Sequence, residues 1–177
     1  MTNYSIFNHA NAPLYTNMTN TYANPGVETL PEGNAAISSL LFTLTTGGVS
    51  VSSGQSLLLQ AANPAGSGKT LYLSKVMGGT TAAATLLFYS GGTITGGTTP
   101  VPVNSNFGSS NASIITSKQN TGSLTGTPTT VITLPITAGM YLVALGGAFV
   151  IPAGQTFTAT LGTGALTGSI NIIWWEY

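Results

Sequence analysis

The 177-residue chain contains no Asp, no Arg and no Cys. Its charged side chains are three Lys (Lys69, Lys75, Lys118) and three Glu (Glu28, Glu32, Glu176), with His9 as the single imidazole. Charged residues make up 3% of the chain and the formal net charge is zero, whereas a typical soluble domain is about 25% charged. Each absence removes a class of function. Without Cys there is neither a disulfide framework nor a thiolate nucleophile or ligand. Without Arg, three Lys cannot form the basic stripe that neutralises phosphates, so no nucleic acid is expected as a partner. General acids, general bases and most metal ligands come from the residue types that are scarce here. The chain therefore reads as a non-enzyme with no cofactor and no metal. A surface of hydroxyls and glycines that lacks charge repulsion is suited instead to being covered by copies of itself.

The mean hydropathy is positive, +0.33, mainly because charged residues are missing from the sum. The most apolar stretch, residues 140–153, is interrupted by Gly146, Gly147 and Pro152 and is shorter than the roughly 20 residues that span a bilayer, so no membrane insertion is expected. The first residues, Met-Thr-Asn-Tyr-Ser-Ile-Phe-Asn-His, have neither a basic region nor an apolar core, which argues against a Sec signal peptide.

From about Ala35 onward, short apolar–polar alternations are separated by Gly, Pro, Ser and Asn. About nine strands follow, at residues 37–46, 55–62, 70–77, 82–90, 112–118, 129–136, 141–145, 155–161 and 168–176, which predicts an all-β sandwich or barrel. In the cleanest of them Phe157, Ala159 and Leu161 share one face and Thr156, Thr158 and Thr160 the other, so the hydroxyl face is expected to be wet. Helix formers are few. At an offset of 100, Gly47, Val49, Val51, Gly54, Gln55, Ser56 and Leu57 align with Gly147, Phe149, Ile151, Gly154, Gln155, Thr156 and Phe157. This internal repeat suggests two related halves, as in a double-Greek-key jelly roll, with Gly54 and Gly154 supplying a positive φ at matching turns.

Residues 1–34 differ in kind. They are rich in Asn, carry Tyr4, Phe7, Tyr15 and Tyr22, and contain Pro13 and Pro25, with little alternation. They read as an extended N-terminal arm ahead of a domain at 35–177. Thirty-four extended residues reach roughly 110 Å, against roughly 40 Å for the width of the domain, so the arm can reach a neighbouring subunit.

Motifs that would carry chemistry fail on inspection. Asn63-Pro-Ala-Gly-Ser-Gly-Lys69-Thr70 ends like a phosphate-binding loop, but Asn63 occupies the position of the first glycine and a strand, not a helix, should follow. Ser-x-x-Lys and Gly-x-Ser-x-Gly spacings are absent, and His9 has no Asp to orient it. Glu28 and Glu32 read as residues keeping an irregular segment wet, and Glu176 as facing water or pairing with a Lys across a subunit contact. Three Asn-x-Ser/Thr sequons, at Asn3, Asn17 and Asn111, match chance for a chain with 46 Ser plus Thr. In the closing strand, Ile170, Ile172 and Trp174 share one parity and Ile173, Trp175 and Tyr177 the other. Trp174 is therefore expected in the core, and Trp175 at an interface or beneath the arm.

The run Asn-Pro-Ala-Gly-Ser-Gly-Lys-Thr-Leu-Tyr-Leu, then Asn106-Phe-Gly-Ser-Ser-Asn111, a Pro-Ala-Gly-Gln turn and a closing Trp-Trp-Glu resembles small jelly-roll structural proteins of phage virions and bacterial surface or spore fibres, over residues 35–177. The resemblance implies a non-enzymatic building block outside the cell or in a virion, one that lacks the cysteines of disulfide-stapled fibre subunits. The expectation is a subunit of a self-assembling filament, with Tyr4, Phe7, Tyr15, Tyr22, Trp175 and Tyr177 at contacts between copies. A capsid or a cell or spore surface is a possible anchor. The alternatives are a trimeric virion head-decoration or fibre protein, and a carbohydrate-binding jelly-roll module.

Overall fold

A computed structural model describes residues 31–162 and 164–177. Among the described residues one short helix, α1 (Pro31–Ile37), precedes eleven strands: β1 (Leu41–Thr45), β2 (Val49–Val51), β3 (Ser56–Ala62), β4 (Leu71–Thr80), β5 (Ala84–Ser90), β6 (Val103–Asn104), β7 (Thr116–Gly122), β8 (Thr129–Ile136), β9 (Gly139–Ile151), β10 (Thr156–Gly162) and β11 (Leu166–Glu176). They form two antiparallel sheets packed face to face. The first has the order β6-β1-β11-β4-β9, with β2 also on β11, and the second β7-β3-β10-β5-β8. The protein is an all-β sandwich. β1 pairs with β11, β3 with β10, β4 with β9 and β5 with β8, so the pairing is nested about the middle of the chain.

The core follows from the alternation. Phe42 and Leu44 of β1, Leu71 and Leu73 of β4, and Ile170, Ile172 and Trp174 of β11 meet Leu57 and Leu59 of β3, Leu86 and Phe88 of β5, and Phe157, Ala159 and Leu161 of β10 between the sheets. The offset-100 repeat maps to two equivalent crossings from the first sheet to the second. The Gln55 amide donates to the Ser52 carbonyl and the Gln155 amide to the Pro152 carbonyl, each at 3.1 Å. Gly54 and Gly154 hold φ +79° and +81° there, as a type II turn requires at its third position.

Three expectations are corrected. The Thr face of β10 is not wet: Thr158 is fully buried and Thr160 nearly so. The excursion between β5 and β8 covers that side, burying Ile94, and Gln60 Nε2 donates to Thr158 Oγ1, which donates to the Gly91 carbonyl. Residues 37–40 belong to the end of α1 and a turn, not to a strand. Finally, β9 runs for thirteen residues rather than five. Gly146 and Gly147 interrupt only its ladder with β4, which resumes at Phe149↔Leu73; a pair of glycines that reads as a strand break is a bulge instead.

α1 lies on the outer face of the first sheet. Glu32 accepts hydrogen bonds from Ser74 and, at 2.9 Å, from Lys75 Nζ, both on β4. Ala35 packs with Leu41 and Trp175 in a small second cluster. Burial opposes ionisation of Glu32, but the Ser74 and Lys75 hydrogen bonds and the Lys75 charge outweigh it and hold the carboxyl below its ordinary range.

Candidate assembly surface

Among the described residues, β8 and β9 form one flank of the sandwich, with Pro135 on β8. Each is the terminal strand of its sheet. Natural sheets blunt such edges with Lys, Pro, bulges or short strands; β9 has the Gly146-Gly147 bulge in its ladder with β4 but carries neither charge nor Pro along Gly139–Ile151. Tyr141 turns inward, 9% exposed, which fixes the parity of its neighbours. Met140 and Leu142 therefore point outward and are 95% and 62% exposed. Met77, paired with Leu142 across β4, extends the same patch. Two thioethers on an exposed apolar surface suit contacts of adaptable shape.

Tyr141 is the inner anchor of this edge. Its hydroxyl donates to the Ser169 carbonyl on β11 at 2.8 Å, passing over Gly78 of β4, where an added Cβ would lie 2.7 Å from the hydroxyl and 2.0 Å from the Ser169 oxygen. Burial pushes the Tyr141 hydroxyl well above its ordinary range, so it stays a neutral donor.

Beside the edge, the two sheets part to leave a cleft of about 360 Å³. Tyr89, Val131, Phe149, Val150 and Phe157 supply its apolar walls and Ser90, Gln155 and Thr156 its polar rim. Val131 and Val150 are each 48% exposed at its mouth. Among the described residues no charged side chain lines it, so they offer nothing to balance an ionic ligand, while its size suits a side chain or a small apolar group.

The closing strand sorts its large residues as parity predicts. Trp174 is fully buried between the sheets, stacked on Phe42 at 6.0 Å. Trp175, 7% exposed, lies on the opposite face beneath α1, stacked on Tyr72 at 5.8 Å. Its ring also rests on Gly147, where a Cβ would come within 2.6 Å, so the β9 bulge and α1 cover it together. Tyr177 is 58% exposed and meets Tyr72 edge-on. Tyr4, Phe7, Tyr15, Tyr22, His9 and Glu28 lie outside the described residues.

Glu176 departs from the sequence reading: it neither faces water nor meets a Lys. It is 2% exposed and accepts hydrogen bonds from Ser113 Oγ, the Ile114 amide and Trp174 Nε1. Three donors in place of a cation are a way to hold a carboxylate in an apolar setting. The phosphate-loop look-alike is likewise structural. Asn63, 2% exposed, donates from Nδ2 to the carbonyls of Lys69 and Ile151 and accepts from Ser67 Oγ. The residue that departs from the motif is thus the one that organises the turn.

Among the described residues there is no group of three His, Cys, Asp or Glu able to hold a metal, and no helix is long and apolar enough to cross a membrane. Comparison of the chain with protein families, with characterised proteins and with solved structures finds no match.

Proposed function

We propose that this protein is a non-enzymatic structural subunit that polymerises with copies of itself into an extracellular filament or appendage. The observation that carries the reading is the β9 edge: thirteen residues without a charge or a Pro, flanked by the exposed Met77, Met140 and Leu142. An edge of this kind, which no strand among the described residues pairs, can accept another strand, main-chain hydrogen bonds giving strength and side-chain pockets giving register. The donor in this reading is the N-terminal arm of a neighbouring copy. Contacts of this head-to-tail kind do not close on themselves and generate open filaments.

The sandwich is read further as a jelly roll. Two Greek keys rolled together place first against last, second against second-last, and so inward. The nested pairs β1·β11, β3·β10, β4·β9 and β5·β8 support that reading, with β6 and β7 as additions at the opposite flank.

Electron microscopy of the purified full chain tests the function. Filaments are expected, and the double variant Met140→Lys/Leu142→Lys, which adds charge to the edge without touching the core, should abolish them while leaving the β circular-dichroism spectrum unchanged. Discrete closed rings or trimers would instead favour a virion component, and a persistent monomer would refute self-assembly.

A further inference from the structure

The chemistry of the cleft beside β9 narrows what can fill it. Its walls are aromatic and branched apolar side chains, its rim is amide and hydroxyl, and it lacks charge; the matching guest is an aromatic side chain on a polar backbone. The segment preceding Pro31 offers four such residues. Its anchoring point is fixed, because Glu32 is tied to Ser74 and Lys75 on β4, the strand next to β9.

Reach separates Tyr22 from the other three. At about 3.3 Å per extended residue, Tyr22 extends about 30 Å from Pro31, less than the roughly 40 Å width of the sandwich. Tyr15 extends about 53 Å, and Phe7 and Tyr4 about 80 and 90 Å. Tyr15, Phe7 and Tyr4 all extend farther than the width of a neighbouring domain, and Tyr22 does not. Among them, Tyr4-Ser5-Ile6-Phe7 is the one place where three large apolar residues fall within four positions.

We infer that the cleft between β8 and β9, walled by Tyr89, Val131, Phe149, Val150 and Phe157, is the receptor for the Tyr4–Phe7 segment of a second copy of this chain, with Phe7 as the inserted side chain. The segment lies along the free edge of β9, and its aromatic ring displaces water from the cleft. This rests on the reading of the protein as an arm-linked polymer and adds which residues of the arm dock, and where.

The test places the photo-crosslinking residue benzoylphenylalanine at Val131, which is half exposed at the mouth, in isotopically heavy full-length chain mixed with light wild-type chain before assembly. Irradiation should join position 131 to the peptide containing Tyr4–Phe7, in heavy–light pairs. In parallel, full-length Phe7→Ala should raise the concentration needed for assembly about tenfold or more, as loss of an aromatic anchor does, while Phe107→Ala, at a 92% exposed site on the other flank, should not. Heavy–light crosslinks that land on residues 101–107, crosslinks confined to one chain, or an unchanged threshold for Phe7→Ala would each overturn this docking while leaving self-assembly standing. Absence of any particle larger than a monomer in the wild-type chain would overturn both.

Discussion

Replacing Trp174 by Phe separates two contributions to stability that meet at the end of β11. Trp174 is fully buried, so shortening the ring leaves a cavity of roughly 40 Å³, which costs about 1 kcal/mol at about 24 cal/mol per Å³. The indole N–H also donates to Glu176 Oε1 at 3.0 Å. Its loss leaves a carboxylate that is 2% exposed with two donors instead of three, and a hydrogen bond to a charged group contributes about 1.5 to 3 kcal/mol. The sum is about 2.5 to 4 kcal/mol, a large part of the roughly 5 to 15 kcal/mol of a typical domain. Urea unfolding followed by circular dichroism measures it, with an unchanged slope as the sign that both states keep their extent. The cycle with Glu176→Gln isolates the hydrogen bond: because a neutral amide depends less on the indole donor, the same Trp174→Phe change should cost less in that background. A loss below about 1 kcal/mol for Trp174→Phe, or an equal loss in both backgrounds, would refute the role assigned to this pair, since packing alone accounts for about 1 kcal/mol.

Gly78→Ala should destabilise by about 1 to 3 kcal/mol or more in the same assay, because the new methyl meets a backbone carbonyl as well as the Tyr141 hydroxyl; a neutral result would contradict the close approach of β4, β9 and β11. The folded-state pKa of Glu32 is depressed below 4.5. Its contribution is therefore present above that unfolded value and is lost as pH falls through the lower folded value. With side chains 28% and 31% exposed, the Lys75–Glu32 pair contributes no more than about 1 kcal/mol. Protection of the α1 amides, measured relative to the intrinsic exchange rate at each pH, should fall as pH drops through the lowered folded value of Glu32, and Glu32→Gln should show the reduced protection already at pH 7. Deleting residues 1–30 should leave a folded sandwich, since α1 and the core stay intact, and should abolish polymerisation as measured by light scattering.

Much of the sandwich is legible in the sequence because period-2 alternation marks a strand with one buried face. Trp174 and Trp175 could be sorted to opposite faces by parity alone. The signal fails where burial comes from elsewhere in the chain. Thr158 and Thr160 alternate like solvent-facing residues, yet an excursion some 65 residues away covers them, as the Thr158–Gly91 bond shows. α1 escapes notice because seven residues containing Pro, Gly and Asn are too short and too poor in helix formers to nucleate on their own; contacts of Glu32 and Ala35 with the sheet select it. The length of β9 is hidden by Gly146-Gly147, which read as a stop. Glu176 looks like a surface carboxylate because its donors, Ser113 and the Ile114 amide, are 63 and 62 residues away. The β9 edge had a partial signal: residues 140–153 stand out as the most apolar stretch, but only the sheet order shows that it lies at an edge.

Sedimentation velocity of the purified full chain, at low salt and at about 1 M salt, where the Debye length falls to about 3 Å, tests self-assembly through uncharged sheet edges most directly. With a net charge of zero and six charged side chains, there is little Coulomb energy to screen. Large particles of the same size at both salt concentrations are expected. A 17.9 kDa monomer at every protein concentration, or particles that fall apart in high salt, would contradict it.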